Sequence, residues 1–124
     1  MITSMTPILY VDAIEPCLSF WTERLGFLQV VEVPHGDRLG FVILARGDLQ
    51  VMYQTFDSMA EDLVGVSVQT GGCTYMKVSD FPAIVKALEG TDVVAAPRKT
   101  FYGADEIFVR EPGGNLLGFS YHAS

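Results

Sequence analysis

From Asp105 to Tyr121 the chain alternates with period two on both sides of a single break. Ile107 and Val109 alternate with Glu106, Phe108 and Arg110, and Leu117, Phe119 and Tyr121 alternate with Leu116, Gly118 and Ser120. Between them Glu111-Pro112-Gly113-Gly114-Asn115 has turn chemistry: proline fixes φ, while glycine and asparagine tolerate positive φ. The pattern predicts a β-hairpin. Gly40–Gln54 repeats it, with the turn at Arg46-Gly47-Asp48.

Each hairpin follows a strand-then-helix unit, Ile8–Val11 into Ile14–Leu25 and Thr74–Val78 into Phe81–Leu88. Val11 matches Val78 at an offset of 67, and Gln50 matches Gly118 at 68. So steady an offset predicts an α+β fold of duplicated βαβββ modules in one domain: module one about 5–56, a linker about 57–71, module two about 72–122.

Within module one, Asp12 and Glu15 form a capping-box-like start to a helix whose stripe is Ile14, Leu18, Trp21 and Leu25 and which Gly26 stops. Phe27–Val33 is a strand, and Pro34-His35-Gly36-Asp37 is a turn. The linker carries a short helix at Ser58–Leu63 and a flexible stretch at Gln69–Gly72. In module two Asp80 caps a helix with Pro82 in its first turn, Thr91–Ala95 is a strand, and Ala96–Ala104 is a loop.

Eight strands and two helices leave one sheet face uncovered. The phase Leu9/Val11, Val42/Leu44, Leu49/Val51, Met76/Val78, Ile107/Val109 and Leu117/Phe119 suits the helices. The opposite phase should be polar, yet it holds Tyr10, Phe41, Met52, Tyr75 and Phe108 beside Gln50, Lys77, Glu106 and Arg110. Rings and apolar residues mixed with polar ones, on a face without a helix, point to a cavity or a subunit interface. The competing expectation is two sheets closing on each other, against which Gln50, Lys77, Glu106 and Arg110 are awkward in a dry core.

Composition narrows the classes. Fifteen acidic against eight basic residues give a net charge of −7, which argues against nucleic acid and anionic membranes as partners. No run of 18 apolar residues occurs and Met1–Met5 has no signal-peptide character, so the expectation is a soluble cytoplasmic protein. Cys17 and Cys73 then read as small apolar thiols. No GxSxG, Walker or CxxC sequence is present, and neither His35 nor His122 is placed for triad chemistry.

The segments PILYVDAIEPCLSFWTERLGF and YGADEIFVREPGGNLLGF resemble the vicinal oxygen chelate superfamily, which includes glyoxalase I, extradiol dioxygenases, fosfomycin-resistance enzymes and bleomycin-resistance proteins. The resemblance implies paired βαβββ modules, each curling into a concave sheet, usually in a homodimer whose chains complete one another's cups. In metal-dependent members four strand positions supply the ligands; they fall here on Thr6, Gln50, Cys73 and Gly118. Only Gln50 has a suitable donor, so the expectation is no metal and no cofactor. Glu111 stands where the family's turn has aspartate.

A metal-free cup resembles the bleomycin-resistance branch, whose members sequester a drug. The expected function is metal-independent binding of an aromatic or amphipathic molecule, possible roles being antibiotic resistance or metabolite carriage. Its expected lining is Tyr10, Phe41, Gln50, Met52, Tyr75, Glu106 and Phe108, with no catalytic residue and a mild preference for cations. Two alternatives stand beside it: a metal-dependent lyase, isomerase or dioxygenase with unexpected donors, and a scaffold that fills its own cups.

Overall fold

The computed structural model describes residues 1–68 and 70–123, and the chain divides into two compact units, 1–70 and 71–124. Gln69, in the stretch expected to be flexible, lies outside the described residues.

The first unit holds β1 (Ile8–Val11), β2 (Leu28–His35), β3 (Arg38–Arg46), β4 (Leu49–Thr55) and α1 (Phe56–Asp62). Its sheet runs β1-β4-β3-β2, with β1 parallel to β4 and the other pairs antiparallel. The second unit holds β5 (Cys73–Lys77), α2 (Phe81–Ala87), β6 (Asp92–Lys99), β7 (Ala104–Arg110) and β8 (Leu116–His122), in the order β5-β8-β7-β6. The same order and the same single parallel pair occur in both units, which is the expected duplicated βαβββ plan.

One strand phase makes each core. Leu9, Val11, Val42, Leu44, Val51 and Tyr53 are buried in the first unit with Ile14, Cys17, Phe20 and Trp21. Trp21 Nε1 donates to Tyr53 Oη at 2.9 Å, so the indole buries its ring without stranding its donor. In the second unit Ile107, Val109, Leu117 and Phe119 are buried with Leu88, and each such side chain contributes about 1.5–3 kcal/mol. Leu49, assigned to the covered phase, is instead 63% exposed beside its turn.

The helical segment after β1 differs from a regular helix: Glu15–Cys17 is a 3-10 turn and Phe20–Arg24 is π-helical. The expected capping box does not form. Glu15 reaches across to accept the Leu39 N–H at 2.8 Å, and that bond holds its carboxyl below the ordinary range. Asp80 does cap α2, accepting from the Ala83 N–H at 3.1 Å. Thr55 caps α1 through the Ser58 N–H at 3.1 Å, so that helix starts two residues earlier than expected.

Two strands run further than the sequence suggested, each past a proline. β2 continues through Pro34 to His35, and β6 through Pro97 to Lys99, each with register shifts. Both are edge strands, where a residue without N–H can face away from the ladder. The EPGGN turn stitches itself: Glu111 N–H donates to the Asn115 carbonyl at 2.9 Å, while the buried Glu111 carboxylate accepts the Asn115 N–H. Gly114 sits at φ 89°, which a β-carbon would disfavour.

Candidate functional site

In the second sheet the ladder sets the uncovered face in rows. Tyr75, Gly118, Phe108 and Ala95 are successive Cα partners across β5, β8, β7 and β6. The next row is Lys77, Ser120, Glu106 and Arg98. Partners in a ladder project to the same face, so ring-bearing and charged positions lie side by side.

Gly118 makes the ring row possible. A β-carbon there would stand 2.6 Å from Phe108 Cε2 and 3.0 Å from Tyr75 Cδ1. The two rings, with centroids 6.2 Å apart and 35° between planes, therefore lean over the glycine backbone. Tyr75 is 44% exposed and Phe108 is half-buried, which leaves a ring surface facing solvent.

Glu106 anchors the charged row at 1% exposure. Its Oε2 accepts from the Tyr75 hydroxyl and, at 2.6 Å, from the Tyr102 hydroxyl; its Oε1 takes Arg98 Nη2 at 3.4 Å. The Tyr102 and Tyr75 bonds hold the carboxyl below its ordinary range despite burial, and Arg98 acts in the same direction. The same bond to Glu106 pushes the Tyr102 phenol up. The Tyr102 hydroxyl is thus committed as a neutral donor and is a poor nucleophile or base, and the Tyr75 hydroxyl donates to the same carboxylate.

His122 joins this cluster. Its Nε2 lies 3.5 Å from Tyr75 Oη and 3.2 Å from Ser120 Oγ, and its ring stacks on Tyr102 with centroids 6.4 Å apart. His122 is part of the sheet: β8 runs on to it and delivers it to the face of Gly118 and Ser120. Carrying the alternation two residues further would have found it. Tyr102 and Arg98 were missed because Ala96–Ala104 reads as loop, whereas β6 extends to Lys99, Arg98 pairs with Glu106, and Tyr102 lies in the turn that follows.

In the first sheet the corresponding rows are Tyr10, Gln54, Phe41 and Val33, and Ile8, Met52, Ile43 and Val31. Tyr10, Phe41 and Met52 are half-buried there, and Tyr10 stacks on Phe56 at 6.2 Å. Gln50 falls one row further out, exposed and paired with Ala45, so it does not join the ring-bearing rows. Gln54 takes that place, donating to Asp62 Oδ2 at 2.8 Å and Ser58 Oγ at 3.2 Å. By row, Gly118 corresponds to Met52, since these residues pair with Tyr75 and Ile8.

The family's metal can be tested against these donors. A divalent ion needs three or four N, O or S donors at about 2.0–2.3 Å. Gln50 is exposed, Gly118 has no side chain, and the space its side chain would need is taken by two rings. Cys73 is exposed, not the buried thiol expected, because it begins the edge strand β5; partial desolvation pushes its thiol up, away from the thiolate a metal requires. No group of three or more His, Cys, Asp or Glu placed to hold a metal ion occurs among the described residues. These residues do not fit a divalent metal.

The family model described as the glyoxalase/bleomycin resistance protein/dioxygenase superfamily matches residues 3–119. No curated protein matches the chain. Among solved structures, lactoylglutathione lyase from Agrobacterium tumefaciens superposes with a TM-score of 0.76 at 16% identity, over 96% of this chain and 92% of that one. TioX from a Micromonospora species gives 0.73 at 21% identity, over 98% and 99% of the two chains. A glyoxalase/bleomycin resistance protein/dioxygenase family enzyme from Burkholderia phytofirmans gives 0.73 at 14% identity, over 95% and 97%. Identities this low carry the fold, and with the family match over nearly the whole length the chain belongs to the glyoxalase/bleomycin resistance protein/dioxygenase superfamily.

Proposed function

We propose that this chain is a metal-independent small-molecule binding protein that holds a flat aromatic or amphipathic ligand against Tyr75 and Phe108 on the uncovered face of the second sheet. The observation that carries the reading is the pair of rings leaning over Gly118, one of the four positions that the family resemblance assigns to metal ligands. Two rings over a glycine, with no donor side chain between them, offer a surface for stacking, and each stacking contact contributes about 0.5–1.5 kcal/mol beyond buried area. Tyr10, Phe41 and Met52 offer a second apolar face on the first sheet. Glu106 then acts as a support that fixes the Tyr75 ring. Sequestration of a drug and carriage of a metabolite both suit such a site, in a cytoplasmic protein.

The test has two arms. Elemental analysis after mild dialysis is expected to find no stoichiometric zinc, iron, manganese or nickel; one ion per chain would return the metal-dependent lyase, isomerase or dioxygenase to first place. A thermal-shift screen of planar antibiotics and metabolites is expected to give hits that Phe108→Ala and Tyr75→Ala weaken by about threefold to more than tenfold. A broad screen without hits would favour the self-filled scaffold.

We also expect a homodimer. Edge strand β2 exposes Leu28 at 69%, Val30 at 54% and Val33 at 47%, a density of apolar surface that a second copy would cover. Light scattering at micromolar concentration should give twice the 13.6 kDa chain mass. A monomer at all concentrations contradicts this.

A further inference from the structure

The ligand's charge can be read from the row beside the rings. Glu106 is the acidic member of the row Lys77, Ser120, Glu106 and Arg98, and its charge is spent internally: it is buried, with both oxygens engaged by Tyr75, Tyr102 and Arg98. A bound molecule therefore cannot pair with it without displacing three donors. The cations of the row are at the surface instead. Lys77 is exposed, and the Arg98 side chain is 61% exposed although it touches Glu106. Lys77 and Arg98 stand at opposite ends of the row, on either side of the Tyr75 and Phe108 positions in the neighbouring row. Arg110, two residues beyond Phe108, folds its Nη1 back to the Gly114 carbonyl at 2.9 Å and has Asp92 as its ladder partner, so that end of the face is balanced.

We propose that the ligand of this face is an anion, a planar aromatic molecule bearing a carboxylate or sulfonate, its ring system on Tyr75 and Phe108 and its acid group within reach of Lys77 or Arg98. This rests on the binding function proposed above and reverses the cation preference expected from the sequence. The net charge of −7 does not oppose it, because charges more than about 8–10 Å away are screened at physiological ionic strength. What a bound acid group meets is exposed Lys77 and the outer face of the Arg98 guanidinium, whose Nη2 is shared with Glu106.

Three fluorescent probes of similar ring size separate the outcomes on the full, chelator-treated chain: anionic 8-anilinonaphthalene-1-sulfonate, its neutral counterpart N-phenyl-1-naphthylamine, and cationic proflavine. The anion is expected to bind at least about fivefold more tightly than the neutral probe, although the neutral one is the more hydrophobic. Lys77→Gln should weaken the anion about two- to fivefold and leave the neutral probe within twofold, with near-UV circular dichroism unchanged, while Arg98→Gln, which also removes a partner of Glu106, should weaken the anion by at least as much. Phe108→Ala should weaken both. Tighter binding of proflavine than of the sulfonate, or sulfonate binding indifferent to both cation substitutions, overturns the anion proposal while leaving the binding function in place. Binding of all three probes unaffected by Phe108→Ala, or no binding at all, overturns both.

Discussion

Gly118→Ala should lose both stability and ligand binding. The new methyl would stand 2.6 Å from Phe108 Cε2 and 3.0 Å from Tyr75 Cδ1, inside the contact distance of real side chains. Gly118 is itself buried in the middle of β8, hydrogen-bonded on both sides to β5 and β7, so the backbone cannot yield. The rings must move. Overpacking of this kind costs about 1–3 kcal/mol, here toward the lower end because Tyr75 is 44% exposed and can swing outward. Swinging breaks the bond from Tyr75 to Glu106 and separates the two stacking surfaces, so binding of any ring-shaped ligand should fall about tenfold or more. Thermal unfolding with a parallel titration reads both effects. Wild-type affinity in the variant would show that the rings are not the binding surface.

Glu106→Gln has the second large effect, and it separates by pH. The substitution keeps the shape but replaces one acceptor oxygen by an NH2 group, which faces either the phenols or Arg98 and suits neither. Charge-assisted bonds are worth about 1.5–3 kcal/mol each, and water can partly replace them at the half-exposed tyrosines, so a net loss of about 2 kcal/mol at neutral pH is expected. The carboxyl of Glu106 is held below its ordinary value of 4.5 by Tyr102, Tyr75 and Arg98. Its contribution is therefore complete above about pH 4.5 and is lost as pH falls from there through the folded-state value. Glu15, lowered by its bond to Leu39, is lost in the same window. The wild type should thus destabilise on acidification below that point, and Glu106→Gln should lose less, so the two curves converge. Parallel curves from pH 7 to pH 3 would mean that the Tyr75, Tyr102 and Arg98 contacts do not stabilise the ionised carboxylate.

Most of the fold was legible because its determinants are local. Period two in Ile107/Val109 and Leu117/Phe119 marks the strands, EPGGN closes the hairpin, and Asp80 caps α2 as the sequence implies. The ring row was legible too, since Tyr75 and Phe108 follow from the strand phase alone. Other features depended on partners distant in sequence. Glu15 had a local role to offer as a cap and instead bonded Leu39 in β3. Ala96–Ala104 reads as loop, yet on an edge Pro97 lies within β6, and the extension brings Arg98 to Glu106. Tyr102 sits in the turn between β6 and β7, and its contact with Glu106 depends on side-chain reach, which no periodicity encodes. Gln50 failed in the opposite sense: the hairpin was right, but the row that carries the rings is set by pairing with β1 and β3 and selects Met52 and Gln54.

The most direct test of metal-free aromatic binding is an amide chemical-shift titration of the chelator-treated chain with 8-anilinonaphthalene-1-sulfonate. Saturable shifts should concentrate at Tyr75, Phe108, Gly118 and Ser120, with Lys77 and Arg98 following, while the amides of the buried residues Ile107, Val109 and Leu117 move little. Shifts that appear only after zinc or another divalent ion is restored, or that cluster away from Gly118, would contradict the account.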